Sequence, residues 1–215
     1  RLFFSIIYTI HYNGVIMEEQ GNTQLKRELN VVRNDLTASM QGSGGDLKLY
    51  FGNTVTLYEV EINDQQMDMD LMSYIDAVGD KQGHLTNVKA NMTEWRVQSE
   101  TFRVLADIAK KVAVHASMDK WSYNLQPRIH DLWGIRYQTN DHTIEHAHWP
   151  SLWSFTYYPQ IPDHHPGLYF NRIPALKKVK QGSMYMWESH HWHSVPPLEG
   201  NELRYCVAGN IIEVL

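Results

Sequence analysis

Nine of the twelve histidines fall between His130 and His193, and three of them are spaced to suit a metal ion. His146 and His148 form an H-x-H pair in 145-EHAHWPSLWSFTYY-158, and His193 lies in 183-SMYMWESHHWHSVPP-197. Neutral imidazole is the commonest metal ligand in proteins. On an extended segment, ligands two residues apart face the same way because side chains alternate with period two. A third imidazole from a distant strand would close one face of an octahedron. The opposite positions would stay open for substrate and oxygen, as in a non-haem iron site. His191 shares the alternation face of His193, so spacing alone leaves it as an alternative third ligand. His142, His164 and His165 sit in loop-like sequence and read as exposed histidines.

Arg204 follows His193 by eleven residues and opens an apolar strand. Cys206 and Ala208 share its face, while Leu203, Tyr205 and Val207 point the other way. A buried arginine needs an anionic partner, and its planar fork matches a carboxylate with two parallel hydrogen bonds. Beside a metal site, this implies a chelating ligand with a second carboxylate. The alternative is a salt bridge to Glu199 or Glu202 at the strand edge.

The elements that must hold these groups are legible in outline. Residues 54–62 (TVTLYEVEI) read as a strand, as do residues 46–51 before Gly52 and Asn53. Residues 63–80 carry an Asn or Asp cap, apolar residues at helical spacing and Gly79 as a stop. The helical pattern is strongest over 97–117, with Phe102, Leu105, Ile108, Ala109 and Val112 on one stripe and His115 near its end. From Ile129 onward, short aromatic and branched runs recur between Pro, Gly and Asn: 129–138, 151–160, 167–170, 176–180, 183–187 and 203–214. That is the pattern of an antiparallel sandwich or barrel. The expected architecture is mainly β with flanking helices: a single domain over 46–215, helices in 63–120 and a β core in 129–215. Residues 1–45 read as a weakly ordered lead-in. The apolar stretch 1–16 begins with Arg1, and we expect Met17 to be the start of translation.

Bulk properties narrow the function. The net charge of −5 and the lack of a long basic run argue against a nucleic-acid partner. The cluster Lys177, Lys178 and Lys180 reads as a solvated face. A lone cysteine, Cys206, excludes an internal disulfide and fits a reducing, cytoplasmic compartment. Residues 1–16 are too short and interrupted to span a bilayer, so no membrane association is expected. Trp133, Trp153, Phe155 and Trp192 are candidate walls of a substrate pocket; Met184 and Met186 are read as core.

The C-terminal half resembles the Fe(II)/2-oxoglutarate-dependent dioxygenases, and within them the prolyl-4-hydroxylase-type branch of marine bacteria and their phages. The segment 136-RYQTNDHTIEH-146 is similar to that family's R-Y-x-x-G…H stretch, and 187-WESHHWHSVPP-197 to its F-P-S-x-x-x-H-x-V-P motif. Arg204 and Asn210 resemble its closing R…N strand. The resemblance implies a double-stranded β-helix, or jelly roll. It implies Fe(II) and 2-oxoglutarate as cofactor and cosubstrate, and hydroxylation of a small-molecule or peptidyl substrate with release of succinate and CO2. His146 and His193 would be iron ligands, with Tyr137 and Arg204 on the far carboxylate of 2-oxoglutarate. His148 falls where the wider family places an aspartate or glutamate. Three neutral imidazoles would leave the centre at +2 rather than +1, and Asp141 or Glu145 is an alternative third ligand. Asn140 in place of glycine, and Trp187-Glu188 in place of Phe-Pro, are further departures. Two other readings stay open at this point: a three-histidine cupin-type metalloprotein without 2-oxoglutarate, and a non-catalytic jelly-roll binding module.

Overall fold

The computed structural model describes residues 5–13, 54–79, 86–170 and 175–214. Most of the expected lead-in, the strand at 46–51 and the expected start at Met17 lie outside them. Two antiparallel sheets face each other, with two helices packed on the outside of the larger one. In chain order the elements are β1 (Ser5–Asn13), β2 (Thr54–Glu61), α1 (Gln65–Val78), β3 (Val88–Lys89), β4 (Asn91–Met92) and α2 (Glu100–Trp121). They continue with β5 (Pro127–Tyr137), β6 (His142–His146), β7 (Trp153–Gln160), β8 (Leu168–Phe170), β9 (Ala175–Lys177), β10 (Ser183–Glu188), β11 (His193–Val195) and β12 (Arg204–Glu213). The larger sheet runs β1-β2-β10-β7-β12-β5-β4 and the smaller one β3-β6-β11-β8-β9. This is the jelly roll that the family resemblance implies, but its sheets also recruit upstream strands. Within the expected lead-in, residues 5–13 pair antiparallel with β2.

The first helix begins at the cap that the sequence predicts, and the second, expected over 97–117, begins after Ser99 and runs on to Trp121. The Asp64 carboxylate accepts from the Met67 N–H at 3.0 Å, and the Ser99 hydroxyl from the Phe102 N–H at 3.3 Å, each satisfying an otherwise unpaired donor. Their apolar stripes, Met67, Leu71 and Ile75 on α1 and Phe102, Leu105, Ala109 and Val112 on α2, are buried against Leu132, Phe155, Tyr157 and Val207 of the larger sheet. Burying each large side chain is worth about 1.5–3 kcal/mol. Gly134 permits this approach: a Cβ there would lie 2.3 Å from Ile75 Cγ1.

The opposite face of the larger sheet lines the interior between the sheets. Period two divides each strand between the layers, so on β12 Tyr205 and Val207 join the helices while Cys206 and Ala208 point inward. Met184 and Met186 are fully buried core residues. Lys177 is not a solvated cation: it is 7% exposed, with Nζ 3.0 Å from the buried carboxylate of Glu59. That pairing across 118 residues is invisible in the local sequence.

Candidate metal centre

Two of the three imidazoles are cross-strand neighbours. β11 pairs antiparallel with β6 so that His193 lies directly opposite His146. His148 reaches the same point by another route. It lies beyond the end of β6, where its backbone N–H donates to the Ser189 carbonyl at 2.8 Å. The H-x-H pair therefore straddles the end of β6: His146 is its last residue, and His148 lies in the irregular segment that follows, ahead of the turn at 149–150. The ring centroids lie 4.6 Å (His146–His148), 4.4 Å (His146–His193) and 5.1 Å (His148–His193) apart. One ligand nitrogen from each falls within 4.8 Å of the others.

The hydrogen bonds leave the Nε2 atoms of the pair free. His146 Nδ1 meets the Ile144 carbonyl at 2.8 Å and His193 Nδ1 the His191 carbonyl at 3.0 Å. A carbonyl only accepts, so both rings carry their proton on Nδ1 and present a bare Nε2. Burial holds all three rings neutral. His148 is pushed down to about 3 by desolvation and then by His146; His193 is lowered well below its usual value by desolvation, then His146 and His148; His146 is lowered by desolvation. Three neutral, convergent imidazoles fit a divalent first-row cation. His191 takes no part: it precedes β11 and lies beside Glu188. Asp141 is also absent, its carboxylate accepting from the Gln138 N–H at 2.9 Å, and Glu145 is exposed on the outside.

Arg204 lies in the same cavity, 1% exposed and without a carboxylate partner among the described residues. Glu202 instead faces His164 at 3.5 Å. The guanidinium lies 4.9 Å from the ring centre of Tyr137 and 5.1 Å from that of Tyr158. Its Nη2 donates to the Tyr158 hydroxyl at 3.4 Å, while Nε and Nη1 have no acceptor among the described residues. The Tyr137 hydroxyl shares a hydrogen with Thr143 Oγ1 at 2.7 Å. Desolvation raises the Tyr158 phenol to about 12 and that of Tyr137 further, so both remain neutral. The cavity holds about 40 Å³ of space open to water, and its walls include Ile135, Leu168, Val195, Cys206 and Ala208. Trp133 and Trp187 also line it, and each has a buried indole N–H without a partner. Among the described residues, no aspartate or glutamate lines it. An interior that combines an unmet guanidinium with indole N–H groups beside bare imidazole nitrogens suits an anionic ligand.

Of the predicted wall residues, Trp133 and Phe155 reach this cavity and Trp153 and Trp192 do not. Trp153 faces the helix layer, its indole N–H donating to Ser117 Oγ at 2.8 Å. Trp192 instead joins Trp149, 81% exposed, and His190 around an open groove that reaches His146 from outside. His164 is exposed as expected; His165 is half-buried against the Val179 carbonyl, and His142 begins β6. Sequence reasoning missed Tyr158, and only its place on an inward-facing strand position could have suggested it.

Among solved structures, the chain is similar to a Pseudomonas putida prolyl-4-hydroxylase: TM-score 0.57 at 13% identity, covering 74% of this chain and 93% of that one. The fold is that of the prolyl hydroxylases. The same fold appears in HygX from Streptomyces hygroscopicus with nickel and 2-oxoglutarate bound (TM-score 0.54, 10% identity, 74% of this chain and 83% of that one). It appears again in a Trichoplax adhaerens prolyl hydroxylase in complex with a hypoxia inducible factor peptide fragment (TM-score 0.54, 11% identity, 92% and 94%). No family model and no curated protein matches the sequence. No described helix is long and apolar enough to cross a membrane.

Proposed function

We propose that this chain is an Fe(II)- and 2-oxoglutarate-dependent oxygenase that hydroxylates a small-molecule or peptidyl substrate. The observation that carries the reading is Arg204: a fully buried guanidinium with no counter-ion among the described residues, in the same cavity as three converging neutral imidazoles. A buried cation of this kind is tolerable when a ligand supplies the anion. The fold is shared with proteins that hold nickel and 2-oxoglutarate or a peptide, which supports both the dicarboxylate and the substrate classes.

In this reading His146, His148 and His193 hold the metal, their Nδ1 atoms engaged so that Nε2 faces the cavity. Arg204 binds the far carboxylate of 2-oxoglutarate through its two unpaired N–H edges, with the Tyr158 hydroxyl beside it. Tyr137, tethered to Thr143, packs against the guanidinium and fixes its plane. Cys206 and Ala208 lie on the same strand face between Arg204 and the metal end, and their small side chains leave room for the cosubstrate's methylenes. Leu168, Ile135 and Val195 exclude water. With iron and cosubstrate bound, O2 oxidises 2-oxoglutarate to succinate and CO2, and its second oxygen atom enters a substrate C–H bond. Substrate reaches the metal through the groove of Trp149, Trp192 and His190 beside His146.

The test is anaerobic addition of Fe(II) and 2-oxoglutarate. A weak visible charge-transfer band is expected, absent in His146→Ala and His193→Ala, with Arg204→Ala needing far more 2-oxoglutarate. If all three variants behave as the parent, the reading fails. Turnover is then read as 2-oxoglutarate-dependent succinate release.

A further inference from the structure

His148 differs from its two companions in what holds its far nitrogen. His146 and His193 each rest Nδ1 on a backbone carbonyl, which fixes their tautomer. His148 Nδ1 instead meets the side-chain amide of Asn210, with Nδ2 at 3.3 Å. An amide has one accepting and one donating end, so the backbone leaves this ring's proton undetermined. Asn210 is 4% exposed, and its other end accepts from Ser154 Oγ at 2.9 Å. Ser154 Oγ lies 2.8 Å from Ser189 Oγ, and the Ser189 carbonyl accepts the backbone N–H of His148. The circuit closes on itself, from ring to amide to two hydroxyls and back to the same histidine's backbone. Ser154 and Ser189 are each no more than 1% exposed.

We infer that Asn210 is a positioning residue that sets the tautomer of the third ligand, an inference that rests on the metal reading above. With its carbonyl oxygen toward the ring, Asn210 accepts from Nδ1–H, and His148 offers a bare Nε2 to the cation. With its amide nitrogen toward the ring, Nδ1 accepts, the proton sits on Nε2, and the ring cannot ligate. The two orientations occupy nearly the same space. The hydroxyls accommodate either, because Ser154 Oγ can donate to Asn210 Oδ1 or accept from its Nδ2 and pass its own hydrogen to Ser189. His148 stands where the wider resemblance places a carboxylate that needs no tautomer, so the extra partner answers a requirement that a carboxylate ligand would not create.

The test compares the parent, Asn210→Leu and Asn210→Asp. A carboxylate only accepts, so Asn210→Asp locks the ligating tautomer, whereas Asn210→Leu provides nothing. Anaerobic Fe(II) binding, followed by competition with a chromogenic chelator, should weaken about 10–100-fold in Asn210→Leu and return to parental strength or tighter in Asn210→Asp. In the metal-free proteins, nitrogen NMR of the His148 ring should report protonated Nδ1 in Asn210→Asp. It should report protonated Nδ1 again in the Zn(II)-loaded parent. Parental Fe(II) affinity in Asn210→Leu, or affinity in Asn210→Asp as weak as in Asn210→Leu, overturns the inference while leaving the metal site standing. A parent that binds no Fe(II) overturns the site and the inference together.

Discussion

Replacing Arg204 with methionine should make the ligand-free protein more stable and leave it unable to bind its cosubstrate. The guanidinium is 1% exposed and makes one long hydrogen bond, 3.4 Å to Tyr158, with two of its nitrogens unpaired. Desolvating such an ion costs several kcal/mol even after relaxation. Contact with the Tyr137 and Tyr158 rings returns about 2 kcal/mol each when water is excluded. The remainder is a net cost, and replacing buried charge with apolar groups of similar volume stabilises by about 1–4 kcal/mol. For a chain of this length each kcal/mol moves Tm by about 2–4 °C, so Arg204→Met should melt about 2–16 °C higher in calorimetry. Under nitrogen with Fe(II), 2-oxoglutarate at 100 times its Kd should add about 2.7 kcal/mol to the parent and nothing to the variant. The order of the two melting temperatures then narrows or reverses. An Arg204→Met protein that is less stable than the parent without ligand would mean that the arginine holds the fold. Equal stabilisation of both proteins by 2-oxoglutarate would mean that it does not read the carboxylate.

Other expectations follow from particular contacts. Trp187→Phe removes a buried N–H that has no acceptor among the described residues; if a bound carboxylate accepts it, Kd for 2-oxoglutarate should rise about 5–10-fold by titration calorimetry, about one hydrogen bond's worth, and an unchanged Kd removes Trp187 from the binding account. Asp68 is 7% exposed, and burial raises its carboxyl from 3.8 to about 6 against the opposing Tyr157 hydroxyl. The folded state thus holds the proton more tightly, so this group's contribution is present below about pH 4 and is lost as pH rises through 6. Asp68→Asn keeps an acceptor for Tyr157 and should gain about 1–3 kcal/mol at pH 7 but almost nothing at pH 3.5 in urea unfolding; a gain confined to low pH would contradict the sign. Gly134→Ala drives a methyl into Ile75 and should cost about 1–3 kcal/mol, read as a lower urea midpoint at unchanged slope.

Much of this architecture was written locally. The helices start at Asp64 and Ser99 because an acceptor side chain precedes an apolar stripe, and both signals lie within a few residues of each other. The long strands β5, β7 and β12 carried enough branched and aromatic residues to be placed within two residues of their ends. Strands of two to five residues, β3, β4, β6 and β11, hold too few positions for a period to emerge, yet β6 and β11 carry two of the three imidazoles. The histidine spacing picked out three residues that the fold brings together, His146 and His193 through strand pairing and His148 from the segment beyond β6. Tyr158 beside Arg204, Glu59 under Lys177 and Trp153 facing away from the cavity all depend on which strand lies next to which. Hydrogen bonds between segments dozens of residues apart decide that, and no short window of sequence contains them.

The direct opposition of His146 and His193 ties two things that are usually separate. Sliding β11 by one position would bring Trp192 or Ser194 across from His146 and turn the imidazole to the other side. Strand alignment and coordination geometry are therefore a single degree of freedom. An ion gripped by both rings would act as a rivet through the seam of the smaller sheet, where only a few backbone rungs otherwise keep the strands in step.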